Sequence, residues 1–138
     1  MKTWLWGYAA ALLAFGLLDA FWLGLVARNF YQHEAGDALA SQVRWGPALI
    51  FYFGYPALLV TLALTPTLPE TTRMAATRAA LVGLIAYGTF DLTVLATMRG
   101  WSTKLALLDM TWGVLASALA GAAAHAAMAW HSPSADSI

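Results

Sequence analysis

Residues 79–98 read AALVGLIAYGTFDLTVLATM, a stretch with no Lys or Arg, bounded by Arg78 on one side and Arg99 on the other. A run of about 20 mainly apolar residues is what an α-helix needs to cross the hydrocarbon core of a bilayer. Such a helix closes its backbone hydrogen bonds within itself, as lipid requires. Barrel strands would alternate polar and apolar side chains, and this run does not. Its one charged residue is Asp91. A carboxylate at the centre of a spanning helix costs about 3 kcal/mol on insertion scales, so residues of this kind are as a rule paired or functional.

The rest of the chain fits the same solvent. Of its 138 residues 61% are hydrophobic and only 10% charged, against about 25% charged in soluble domains. Three further runs have spanning length: 4–26, 46–64 and 105–130. The seven basic residues, Lys2, Arg28, Arg44, Arg73, Arg78, Arg99 and Lys104, all fall outside the four runs or at their ends. The sequence therefore predicts an all-α integral membrane four-helix bundle, with residues 1–130 as one transmembrane domain and 131–138 as a flexible tail. The first run follows Lys2, but it is longer and more aromatic than a signal-peptide core and reads as a retained span. A formal net charge of zero gives no support for a nucleic-acid partner, leaving the lipid bilayer as the expected surroundings. With no cysteine, disulfides, thiolate metal sites and cysteine nucleophiles are excluded.

Between the runs, residues 27–45 are polar but carry Phe30, Tyr31, Leu39 and Val43, a composition suited to a segment lying on the membrane surface. TPTLPETTR (65–73) reads as an exposed turn, and Arg99–Ser102 is so short that the third and fourth helices must be antiparallel neighbours. Pro56 is expected to kink the second helix. Four spans put both termini on one side, side A, and the first and third connections on the other, side B. Side B carries four basic residues against three, a slight preference for side B as cytoplasmic.

Two more acids interrupt the runs: Asp19 in GLLDAFWLG (16–24) and Asp109 in LALLDMTWG (105–113). Asp19 and Asp91 each precede the side-B end of their run by ~10 Å of helical rise, and Asp109 follows its own by ~6 Å. All three therefore occupy the same half of the bilayer. Asp19 and Asp109 share the pattern Leu-Asp-x-x-Trp, which sets Trp22 and Trp112 on the face of their respective acids. Tyr87 lies one turn before Asp91, and Thr93 and Thr97 form a neighbouring polar stripe. With no Lys or Arg inside the spans, the acids call for a shared proton or for Arg28, Arg44, Arg99 or Lys104 reaching in from side B. In the fourth run Asp109, Gly113, Ser117, Gly121 and His125 recur every four residues, a spacing of small side chains that lets helices pack closely. His125 stands ~24 Å of rise from Asp109 and has no second ligand at metal-binding spacing, so no metal site is expected. No phosphate-binding loop, nucleotide fingerprint or nucleophile elbow is present, and nothing identifies catalytic residues or a cofactor.

Three readings of the acids follow. They form a pocket that binds or chemically handles a ligand, with Asp19, Asp91 and Asp109 meeting the polar end of a small amphiphile or lipid-derived molecule and Trp22, Trp112 and Tyr87 as walls. Alternatively they are glue between helices, in a scaffold or partner subunit whose Gly113–Ser117–Gly121 stripe faces a second copy or another membrane protein. Or they begin a proton path continuing through Ser117 and His125. A membrane enzyme acting on lipids is the catalytic form of the first. On the first reading the pocket lies on side B between helices one, three and four, and helix two closes the bundle against lipid.

At LDAFWLGLVARNFY, YGTFDLTVLAT with GW beyond it, and LLDMTWG, the chain resembles a family of small bacterial inner-membrane proteins, the domain-of-unknown-function family 2177. The likeness runs over nearly the whole chain. It implies four membrane helices in the bacterial inner (cytoplasmic) membrane and assigns no activity. Position by position, the family pattern marks Asp19, Trp22, Asn29, Tyr31, Tyr87, Asp91, Thr93, Thr97, Trp101, Asp109, Trp112 and Gly113.

Overall fold

The structure is a computed structural model and describes residues 2–26, 30, 33 and 44–132. Helix α1 (Lys2–Phe21) runs on into a π-helical turn, Trp22–Val26. It is followed by α2 (Trp45–Leu64), α3 (Thr72–Thr97) and α4 (Thr103–Trp130). Each is long and apolar enough to cross a membrane. The protein is an all-α four-helix membrane bundle, with no strand among the described residues. The expected surface segment between the first two helices, with Arg28, Asn29 and Tyr31, lies almost wholly outside the described residues, as does the tail from residue 133.

The ends of the helices follow their capping residues. The Thr71 hydroxyl accepts from the Met74 amide at 3.1 Å and that of Ser102 from the Leu105 amide at 3.0 Å, each satisfying an otherwise orphaned N–H. Because Thr71 caps it, α3 begins before its hydrophobic run, and its first turns carry Arg73 and Arg78 on the outside. The turn from α3 to α4 needs Gly100, whose φ of 85° lies in the left-handed region. Gly100→Ala should therefore lower stability by about 1 kcal/mol, read as an earlier thermal unfolding transition in detergent. Helix α2 continues through the buried Pro56 as one helix.

Leucine and isoleucine side chains such as Leu17, Ile50, Leu62, Ile85 and Leu107 face outward, where lipid is their natural solvent. The inward faces are built on a four-residue spacing. On α1 the buried positions are Gly7, Ala11, Phe15 and Asp19. On α3 they include Ala75, Ala79, Gly83 and Asp91, with Tyr87 completing the row. On α4 the row is Gly113, Ser117, Gly121 and His125, with Asp109 one turn before it. Helices α3 and α4 lie antiparallel along these rows, so that Ala79 meets Gly121, Gly83 meets Ser117 and Tyr87 meets Gly113. A Cβ placed on Gly83 would stand 2.7 Å from the Gly113 carbonyl oxygen, closer than real atoms sit. Small side chains thus let the two backbones approach, and van der Waals contact holds them where no hydrophobic effect operates. The Gly113–Ser117–Gly121 stripe is covered by α3 of the same chain.

At the opposite end of the bundle from the acids, Trp6 stacks on His131 with ring centroids 3.9 Å apart, so the start of α1 meets the end of α4. His125 ties this end to the connection before α3. Its Nε2 donates to the Pro69 carbonyl at 2.8 Å, and its Nδ1 lies 3.1 Å from the Thr72 hydroxyl.

Candidate functional site

Each acid closes one of the inward rows, Asp19 on α1, Asp91 on α3 and Asp109 on α4. Because a four-residue repeat keeps a helix face, the packing that buries the small residues also turns these three positions toward the bundle.

Asp19 is 6% exposed and fully served. Its Oδ1 accepts from Trp112 Nε1 at 3.1 Å, and its Oδ2 accepts a short hydrogen bond from the Tyr52 hydroxyl. The Trp112 indole in turn stacks on Trp22, with centroids 4.6 Å apart and planes 6° from parallel. The tryptophan donor to Asp19 therefore comes from α4, across the bundle, and not from its own Asp-x-x-Trp pattern; Trp22 contributes a ring face against that donor.

Asp91 is in the opposite condition. It is 0% exposed, and among the described residues neither carboxylate oxygen has a hydrogen-bond partner. Asp109 and Trp101 are among the polar groups beside it. The Trp101 Nε1 is itself buried without a hydrogen-bond acceptor among the described residues, and its ring meets Phe90 edge-on at 6.1 Å. An unmatched acceptor in a dry interior costs about 1–3 kcal/mol, so Asp91 is held there by the packing of α3 on α4 and not by its own bonding.

Tyr87 joins the two groups of acids. Its ring rests on Gly113, where a Cβ would overlap it, and it lies within electrostatic reach of Asp19, Asp109, Tyr52 and Tyr55. Below this polar layer is an aromatic one. Phe15 contacts Tyr55 at 5.2 Å, Tyr55 stacks on Phe51 at 5.4 Å, and Tyr55 meets Tyr87 edge-on at 6.1 Å. The Tyr55 hydroxyl finds Ser117 Oγ at 2.6 Å, so its polar end is satisfied inside the bundle.

The sequence-derived set divides in the structure. Asp19, Trp22, Tyr87, Asp91, Asp109 and Trp112 gather at one end of the bundle, with Trp101 from the α3–α4 turn. Thr93 and Thr97 do not join them. Both are exposed, and the Thr97 hydroxyl donates to the Thr93 carbonyl at 2.7 Å, a bond within its own helix. Helix α2 does more than close the bundle against lipid, because its Tyr52 supplies one of the two donors to Asp19. The signal for Tyr52 was the tyrosine pair in FYFGY (51–55): a phenol buried in a membrane helix needs a partner for its hydroxyl. Among the described residues, no group of three or more His, Asp or Glu is placed to hold a metal ion.

Chemically, the site contrasts Asp19, whose two oxygens accept from neutral donors, with Asp91, whose oxygens meet no donor among the described residues. The first fixes geometry. The second can take up a donor.

Residues 4–126 match the sequence profile of a family described as predicted membrane protein (DUF2177). No curated protein and no solved structure matches the chain.

Proposed function

We propose that this chain, which belongs to the DUF2177 family of predicted membrane proteins, is a multi-pass protein of the bacterial inner membrane that binds the polar end of a small amphiphile or lipid-derived molecule. Asp91 and Asp109 receive that polar end. Asp19, held by Tyr52 and Trp112, fixes the wall formed by Trp22, Trp112 and Tyr87. The observation that carries this reading is the Asp91 carboxylate, wholly buried with both oxygens unmatched among the described residues. In a native protein such a group calls for an occupant that supplies the missing hydrogen bonds. An amphiphile fits because the walls are aromatic and the helices around them face lipid.

Purified wild-type protein and Asp91→Asn, extracted and compared by lipid mass spectrometry, test the proposal. One amphiphilic species should be enriched about tenfold on the wild type, the factor that loss of a charge-assisted hydrogen bond produces. Identical lipid profiles on the two proteins would end it.

A second reading is favoured by the adjacency of Asp91 and Asp109. Two carboxyls side by side can share one proton and divide acid from base work, so the bound amphiphile would be a substrate. Cells carrying Asp109→Asn would then accumulate an unconverted lipid, while under the binding reading their lipid composition stays unchanged. A scaffold built on the Gly113–Ser117–Gly121 stripe has less support, since α3 already covers that stripe.

A further inference from the structure

We infer that a groove at the start of α3 holds the head-group phosphate of an anionic phospholipid, bound by Arg73 and Arg78. This site is separate from the acids and independent of the reading above, since Asp91 lies toward the other end of α3. The groove is open to its surroundings, has a volume of about 260 Å³ and is lined by Arg73, Met74, Thr77 and Arg78. Residues three and four apart share a helix face, which places Arg73 and Met74 one turn before Thr77 and Arg78. All four are exposed. The Thr77 hydroxyl donates to the Arg73 carbonyl at 2.9 Å, which leaves the two guanidinium groups as the side-chain donors of the groove. Glu70, the acid nearest in the sequence, is exposed and does not line it.

The place of the groove along the helix decides what kind of anion meets it. Helix α3 has 26 residues, or ~39 Å of rise, against a hydrocarbon core of ~30 Å. Its apolar run begins only at Ala79, so the surplus is the turn from Arg73 to Arg78, which stands in the head-group layer. Next along the same face comes Leu81, three residues after Arg78 and four after Thr77, and then Ile85 and Leu92. These three are exposed and face away from the Ala75–Ala79–Gly83 row, which is buried against α4. A phospholipid matches both parts of this surface, with its phosphate on the arginines and its acyl chains on the leucines and isoleucine. Guanidinium groups bind phosphate oxygens in a fork, through two parallel N–H bonds. A free phosphate matches only the polar part. A zwitterionic lipid brings an ammonium group that opposes two arginines.

The test is native mass spectrometry of the full chain, released from micelles holding equal amounts of phosphatidylglycerol and phosphatidylethanolamine with the same acyl chains. The wild type should retain phosphatidylglycerol at least about tenfold over phosphatidylethanolamine, since each arginine near a membrane surface contributes roughly fivefold. Arg73→Gln with Arg78→Gln should bring the ratio down to about one. Lys2→Gln, at an exposed basic residue of the same end that does not line the groove, should change it by less than about twofold. Equal retention of the two lipids by the wild type overturns the assignment. A preference that survives the double variant places the lipid elsewhere and removes the site from α3. A loss as large in Lys2→Gln as in the double variant shows that the charge of the whole surface is read, and it too overturns the assignment. Displacement of phosphatidylglycerol by an equal concentration of glycerol 3-phosphate makes a free phosphate ester sufficient and ends the lipid reading. The comparison of the two lipids uses the wild-type protein, so it can refute the site even if a variant folds poorly.

Discussion

Gly113→Val is expected to separate α3 from α4 and to destabilise the protein by about 3 kcal/mol, the upper range for forcing extra atoms into a close-packed contact. The reason is what the new Cβ meets. It would overlap the Tyr87 ring at its first ring atom, near the backbone, where no small rotation of a flexible tip relieves the clash. Either Tyr87 leaves the site or the helices move apart, and Gly83, which needs the Gly113 carbonyl close by, loses its fit at the same time. Gly16→Val is the matched control, because a Cβ there meets nothing within 4 Å. Thermal unfolding in detergent should show a large loss for the first and little for the second. Tyr87→Ala placed on Gly113→Val should restore part of the loss, since the obstacle is removed. Equal losses at Gly113 and Gly16 would refute the account of this contact.

The acids should respond to substitution in opposite directions. Asp19→Ala strips the acceptor from both Tyr52 and Trp112 and is expected to cost about 2 kcal/mol. Interhelical bonds in membranes average only about 0.6 kcal/mol, because the separated helices find other partners; one acceptor serving two donors from two helices stands above that average. Asp91→Leu removes a buried carboxylate that has no hydrogen bond to lose among the described residues and should be neutral or stabilising by about 1 kcal/mol, as when unmatched buried polar groups give way to apolar ones of similar size. The same substitution should abolish binding. A stability screen would thus rate Asp91→Leu as harmless and Asp19→Ala as damaging, and a binding assay would condemn the first. If Asp91→Leu instead unfolds the protein, Asp91 has a structural partner and the proposed role fails.

The fold was legible because its main determinant is local. Four apolar runs between basic residues specify four helices, and the short connection at Arg99–Ser102 makes the last two antiparallel neighbours. The end at which the acids gather was legible for the same reason, since depth follows from counting residues along a helix. Their partners were not. Trp112 was read beside Asp109 from spacing on one helix, but a tryptophan reaches across a bundle as easily as along it, and it donates to Asp19. Thr93 and Thr97 looked like polar lining, yet a threonine hydroxyl in a helix can be satisfied by the carbonyl four residues before it and face outward, as Thr97 does. The row Asp109–Gly113–Ser117–Gly121–His125 stood out in the sequence. Its complement Ala75–Ala79–Gly83–Tyr87–Asp91 has the same period, but one large ring conceals it, and that ring is what Gly113 makes room for.

The parallel indoles of Trp22 and Trp112 carry one more consequence. At 4.6 Å and 6° their excited states are close enough to couple, so the site holds its own optical reporter, distinct from the remaining tryptophans of the chain. Whatever enters beside Asp19 or pulls Trp112 from its carboxylate should alter that coupled signal in near-ultraviolet circular dichroism, without a dye, a label or knowledge of the guest.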